Sequence, residues 1–148
     1  MPLPQDITPF NLAMVDTHVK AGESDWIVES PSSSMKVLYT APETGTWAVL
    51  LRWKKGYIAP QHKHLSGAHA FILSGKLKVR GAVLSAGDYT YEPNGVLHGA
   101  TEALEDTEYL FICNGAVLFY DDNGFTGYLS WEEIERMRQS AQPVKAAA

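Results

Sequence analysis

The chain has very little cysteine: Cys113 stands alone among 148 residues. No intrachain disulfide can form, which fits a reducing compartment. A basic stripe is also missing, since 12 Lys and Arg face 17 Asp and Glu for a net charge of −5. That balance argues against a phosphate backbone, so no nucleic-acid partner is expected. The one short basic cluster is Lys76-Leu77-Lys78-Val79-Arg80. No apolar run approaches the roughly 20 residues of a membrane span, so no membrane partner is expected. The start, Met1-Pro2-Leu3-Pro4-Gln5-Asp6, has neither the positive nor the apolar region of a signal peptide. A soluble, cytoplasmic protein is expected. Internal repeats, low-complexity linkers and βαβ alternation are absent as well, which leaves one domain.

The composition that remains is 45% hydrophobic and 20% charged, enough for a packed core in a chain of this length. Strand-like runs alternate with Gly, Pro and Asn turns. Thr46 to Trp53 is apolar on nearly both faces, as for a strand inside a sandwich or barrel. Ile58 to His64, Ala68 to Leu73, Lys76 to Arg80, Tyr89 to Glu92, Val96 to Ala100, Thr107 to Cys113 and Ala116 to Tyr120 follow, and Ser74-Gly75 is a tight hairpin signal. Asp121-Asp122-Asn123-Gly124 is read as a turn. Near the end, Ser130-Trp131-Glu132-Glu133 is a capping box, and Trp131, Ile134 and Met137 make a helical stripe. The spacing predicts a helix from about Trp131 to Ser140. The fold class expected is all-β: a single-domain jelly-roll β-barrel with one C-terminal helix. Its parts are an N-terminal arm over 1–25, a barrel over 26–129, and a helix with a frayed tail over 130–148.

Four of the five histidines fall in two segments. His62 and His64 are two apart in a strand, so they share a face and can converge on one metal ion. His98 lies in the second segment, after Pro93-Asn94-Gly95. His69 is a fourth ligand if its side chain faces inward, and otherwise a group beside the ligands or at the mouth of the barrel. One residue of register decides that. His18, alone in the arm, reads as an exposed histidine. Three protein ligands leave room for water and substrate, unlike the four of a structural zinc site. Three neutral imidazoles also leave the ion's charge uncompensated, which favours an anionic, chelating oxygen substrate such as the enolate of a β-diketone.

Gly56-x5-His62-x-His64 with Gly75, and Gly87-x5-Pro93-x-Gly95-x2-His98, resemble the two signatures of the cupin family. The resemblance implies a small cupin-type jelly-roll barrel with a central metal held from both signatures by His62, His64 and His98. The first signature usually carries a glutamate ligand three or four residues after its second histidine. Here Ala68 and His69 occupy those places. Pro42-Glu43-Thr44, Val79-Arg80-Gly81, Leu97-His98-Gly99 and Asp121-Asp122-Asn123-Gly124 add a likeness to the acetylacetone-cleaving and dihydroxyacetophenone dioxygenases. That likeness implies Fe(II), O2-dependent carbon–carbon cleavage of a 1,3-dicarbonyl or aryl ketone, and catalytic roles for Glu92 and Arg80 at the entrance to the metal.

The residues themselves give Glu92 a strand parity compatible with the site, six residues before His98. They leave Arg80 divided between an anion-steering group and a solvated face shared with Lys76 and Lys78. Tyr89, Tyr91, Phe71 and Phe111 read as core aromatics, and Cys113 as a small buried hydrophobe. Imidazoles suit Zn(II), Ni(II) and Cu(II) as well as iron. Two other functions therefore stand beside the dioxygenase. One is a zinc-binding cupin sensor or binding module, like those of anti-sigma regulators. The other is a non-oxidative metallo-cupin isomerase or lyase. Apolar residues in the arm and open strand edges point to a homodimer or homotetramer.

Overall fold

A computed structural model describes residues 16–23 and 25–141. The expected arm residues 1–15 and the tail 142–148 lie outside the described residues. Thirteen strands and one helix follow in order: β1 (Trp26–Ser30), β2 (Ser33–Ala41), β3 (Thr46–Trp53), β4 (His62–His64), β5 (Ala68–Ser74), β6 (Lys76–Val79), β7 (Ala82–Ser85), β8 (Tyr89–Glu92), β9 (Leu97–His98), β10 (Thr101–Ala103), β11 (Thr107–Cys113), β12 (Val117–Asp121), β13 (Gly124–Leu129) and α1 (Trp131–Ala141). The all-β jelly-roll class with one C-terminal helix is what the described residues show.

The strands form three sheets: β1-β2-β3-β11-β5-β8, β13-β12-β4-β9 and β10-β6-β7. Every named pair is antiparallel. Strand β3 is central, held by β2 on one side and β11 on the other. Its adjacent residues Ala48 and Val49 are both buried, so both faces are covered, which matches its apolar character on both. Trp47, Val49 and Trp53 point into the core, while Ala48 and Leu50 lie on the other face beside Ile112 and Leu110.

Two buried clusters fill the interior. One holds Met35, Val37, Trp47, Val49, Ala68, Cys113, Val117 and Ile134. The other gathers Trp53, Ala70, Ile72, Leu77 and Tyr109 among others. Leu51 and Phe111 pack against both. Helix α1 closes the first cluster by burying Ile134 completely. Its capping box is present: the backbone N–H of Ser130 donates to Glu133 Oε2 at 2.8 Å, and that of Glu132 to Ser130 Oγ at 3.3 Å.

Two expectations need correcting. Ser74-Gly75 does not make a hairpin, because β5 pairs with β11 and β8 whereas β6 pairs with β7 and β10. The turn is a corner where the chain leaves one sheet for another. Gly75 sits there at φ +82°, with Asp106 O only 2.2 Å from where a Cβ would stand. The turn expected at Asp121-Asp122-Asn123-Gly124 is present, and it leads into β13, an edge strand paired with β12. Phe71, Tyr89 and Tyr91 are not core aromatics, being 41%, 55% and 53% exposed on the outer face. No helix among the described residues is long and apolar enough to cross a membrane.

Candidate metal centre

His62 and His64 stand on β4, which is pinned between β12 and β9. The register sets Phe119 opposite His62 and Val117 opposite His64. The backbone N–H of Gly95 donates to His64 O at 2.9 Å, tying the second signature's turn to the first signature's strand. Gly95 takes φ +84°, a conformation that favours glycine.

Glu92 arrives from the other sheet, at the end of β8. The His62 and His64 ring nitrogens and the Glu92 carboxylate oxygens lie within 4.8 Å of one another. His64 Nε2 is 2.6 Å from Glu92 Oε2. His64 is fully buried and Glu92 is 7% exposed. Among the described residues this is the cluster of donors with a metal's spacing. The two imidazole rings are 5.1 Å apart and perpendicular.

Hydrogen bonding sets which nitrogen faces the cluster. His62 Nδ1 lies 2.8 Å from the Pro60 carbonyl, which can only accept, so Nδ1 carries the proton and Nε2 keeps a lone pair. His64 Nδ1 lies 3.8 Å from Cys113 Sγ, and that thiol donates to Gly115 O at 3.2 Å. The opposite ring nitrogen, Nε2, is the one that faces Glu92. Outer hydrogen bonds of this kind fix the ring and tautomer of metal-binding histidines. Burial pushes His62's proton affinity below the usual histidine value, with repulsion from His64 and Arg80 adding to it. The Pro60 hydrogen bond and the charge of Glu92 act in the opposite direction. Two imidazole nitrogens and one carboxylate form a donor set that could hold a divalent cation.

The sequence placed Glu92 near the metal as a catalytic group. The structure places its carboxylate among the donors, so the expected all-imidazole set gains an anionic member. Register explains how. Glu92 pairs directly with Ala68 across β5 and β8, and paired residues share a face. Ala68 is where the first signature usually has its glutamate. The missing signal was the pairing partner: sequence parity puts Glu92 on a face but not opposite Ala68.

His69, read as a fourth ligand or neighbour of the ligands, is corrected by the same register. Ala68 and Ala70 are buried, and His69 between them faces outward. There its Nδ1 meets the Tyr89 hydroxyl at 2.6 Å, and its ring packs 5.1 Å from that of Tyr91. His98 is brought beside β4 by backbone pairing with His62. Its side chain lies outside the described residues. Arg80 is not part of the Lys76 and Lys78 face. Strand β6 ends at Val79, and Arg80 turns away at φ 53°, so strand parity does not apply to it. Its charge is near enough to depress His62's proton affinity.

The cluster opens on a cavity of about 190 Å³. Phe111 and Phe119 wall it beside the histidines, with ring centroids 6.0 Å from His64 and 6.2 Å from His62. Its size lies below the roughly 300–1,000 Å³ of pockets for drug-sized ligands, which points to a small molecule. Among the described residues, neither lysine nor arginine lines it.

Known proteins agree with this architecture. The acetylacetone-cleaving enzyme of Acinetobacter johnsonii is 28% identical over 107 residues, covering 68% of this chain and 70% of that protein. A crystal structure of an acetylacetone dioxygenase from Acinetobacter johnsonii superposes with a TM-score of 0.80 at 23% identity, over 87% of this chain and 95% of that one. An RmlC-like cupin protein from Ralstonia eutropha JMP134 gives 0.71 at 21% identity, over 82% and 87%. The family model for the ChrR cupin-like domain matches residues 14–118. With that match spanning most of the barrel, the chain belongs to the ChrR cupin-like domain family.

Proposed function

We propose that the protein is a metal-dependent dioxygenase that uses O2 to cleave a carbon–carbon bond of a 1,3-dicarbonyl or related aryl ketone. The observation that carries this reading is the His62–His64–Glu92 cluster at the wall of a small, largely apolar cavity. The likeness to an acetylacetone-cleaving enzyme supports the reaction class.

His62 and His64 hold the ion through Nε2 and Glu92 through its carboxylate. His98 joins as a donor from the strand beside His62. An Fe(II) ion there would supply a Lewis acid for the two oxygens of an enolate and an electron source for O2. Two imidazoles with one carboxylate suit that ion and leave positions open. Beyond holding it, Glu92 is the base placed to take the proton lost when a diketone becomes an enolate. Arg80, whose charge is felt at His62, attracts the resulting anion. Phe111 and Phe119 keep water from the reacting carbons. Both atoms of O2 leave in the two product fragments, so no external reductant is needed.

Oxygen uptake by iron-loaded protein, followed with a panel of β-diketones and hydroxyaryl ketones, tests the proposal. One O2 should be consumed per substrate cleaved, and His62→Ala should abolish both metal retention and uptake. Iron-loaded protein that takes up no O2 with any member of the panel would refute it. Tightly held zinc without turnover would point instead to a sensor module.

A further inference from the structure

The cavity has a second polar end, away from the histidines. Tyr109 precedes Cys113 by four residues on β11, about 13 Å of strand from the row that holds Ala68 and Glu92. It is 4% exposed and lines the cavity. Trp53, paired with Thr107 on the neighbouring strand, is 7% exposed and lines the same cavity. Its Nε1–H is buried with no hydrogen-bond partner among the described residues. The two rings touch edge-on, with centroids 5.1 Å apart. Leaving a buried donor unsatisfied is costly, and native interiors seldom do so without a reason. The Trp53 N–H calls for an acceptor, and the Tyr109 hydroxyl in the same wall offers a second donor to it.

We infer that Tyr109 and Trp53 form a subsite for a neutral hydrogen-bond-accepting oxygen at the far end of the ligand whose other end meets His62, His64 and Glu92. The identity of the near end rests on the proposed function; the subsite itself does not. A carboxylate or phosphate is a poor occupant, because no lysine or arginine among the described residues lines the cavity and Glu29 stands at this end, accepting a hydrogen bond from Ser33. A carbonyl, ether or hydroxyl oxygen fits. Burial and then the charge of Glu92 hold the Tyr109 hydroxyl well above the usual tyrosine range, so it remains a donor at any working pH. Between the two ends, Leu51, Met35 and Phe111 require an apolar frame. The ligand class is therefore a two-ended molecule, chelating at one end and carrying a single uncharged oxygen at the other.

Paired β-diketones test this on the protein as purified. Octane-2,4-dione and 6-methoxyhexane-2,4-dione differ only by an ether oxygen in place of one methylene, and homologues one carbon longer extend the pair. In a wholly apolar pocket the hydrocarbon should bind more tightly, by about fourfold for one methylene. With the subsite, at least one ether should bind about three- to tenfold tighter than its hydrocarbon partner. The preference should vanish in Tyr109→Phe, which removes only a hydroxyl and should fold normally. The Trp53 indole N–H resonance, assigned with Trp53→Phe, should move downfield with the ether and not with the hydrocarbon. Hydrocarbons binding as well as every ether, or a preference that survives Tyr109→Phe and leaves the Trp53 resonance still, overturns the subsite. Cyclohexanone, which cannot chelate, separates the two readings. If no diketone binds but cyclohexanone shifts the Trp53 resonance, the chelating end has failed and the subsite holds. If cyclohexanone also leaves that resonance unmoved, the subsite falls too.

Discussion

Glu92 lies directly opposite Ala68 across the β5–β8 pair, and its carboxylate reaches inward to 2.6 Å from His64 Nε2. Strand β8 thus presents a carboxylate on the face where β5 carries only a methyl group. Ala68 is fully buried on that face. The two positions are therefore alternatives for one charge. Glu92→Ala should weaken metal binding at least tenfold, measured by competition with a chelator, at the scale seen when groups around a bound metal are removed. Adding Ala68→Glu to that variant returns a carboxylate to the same face with nearly conserved volume. Part of the affinity should return with it. A folded double variant that binds no better than Glu92→Ala would show that the face, by itself, does not define the ligand position.

Cys113 joins the site from behind. Its thiol lies 3.8 Å from His64 Nδ1 and donates to Gly115 O, and burial pushes it up to about 11. At pH 8 only about a thousandth of it is thiolate, and none of the residue is reachable from solvent. Folded protein should react with a disulfide reagent only as fast as it opens. Denaturant should release one equivalent of thiol at once. Rapid labelling of the folded protein at pH 8 would contradict the buried position. Metal loading ought to slow the labelling further, since an ion on His64 stabilises the closed state.

Sequence alone carried the strong strands because their chemistry is local. Thr46–Trp53, Tyr89–Glu92 and Thr107–Cys113 are dense in β-branched and aromatic residues, and they form with the expected bounds. The histidine pair was legible for the same reason: a two-residue spacing needs no partner strand to be understood. What failed depends on pairing. Strand β13 carries Gly124 and Gly127, has no fully buried residue, and exists because β12 lies beside it. Phe71, Tyr89 and Tyr91 look like core by type, yet alternation puts Phe71 between the inward residues Ala70 and Ile72 and turns it outward. Glu92's place among the donors likewise follows from which strand β5 chooses as its neighbour.

The corner at Gly75 makes a demand that no other residue meets. At φ +82° an L side chain is strained, and a Cβ would stand 2.2 Å from Asp106 O and 2.5 Å from Thr107 Oγ1. Thr107 Oγ1 is already engaged, accepting from the Lys76 N–H and donating to a carbonyl. Neither neighbour can yield without breaking the start of β11. Gly75→Ala should therefore cost at least about 2 kcal/mol in urea unfolding, above the ordinary effect of a surface substitution. A loss under about 0.5 kcal/mol would mean that the β5–β6 corner rearranges freely.

Helix α1 is tied to the sheet through Glu135, which is also ion-paired to Arg138 within the helix, and its contribution to stability depends on pH with a definite sign. Glu135 accepts from Arg138 and Gln139 on its own helix and from Thr40 Oγ1, at 3.1 Å, on β2. The Arg138 hydrogen bond above all holds its carboxyl low, at about 2, against 4.5 for the free group. A carboxyl depressed on folding stabilises the native state above its unfolded value, and that contribution disappears as pH falls through the folded value. Glu135→Gln should then lower the melting temperature at pH 7. The gap between variant and parent should hold down to about pH 4.5 and close progressively toward pH 2. Because the ion pair is partly exposed, added salt should narrow the gap at pH 7. A gap that widens on acidification would place the stabilising charge elsewhere. Ile134→Ala supplies the contrast, since it empties a fully buried site in the same helix at a cost of about 2–5 kcal/mol. Its deficit should not depend on pH, because no titrating group is removed.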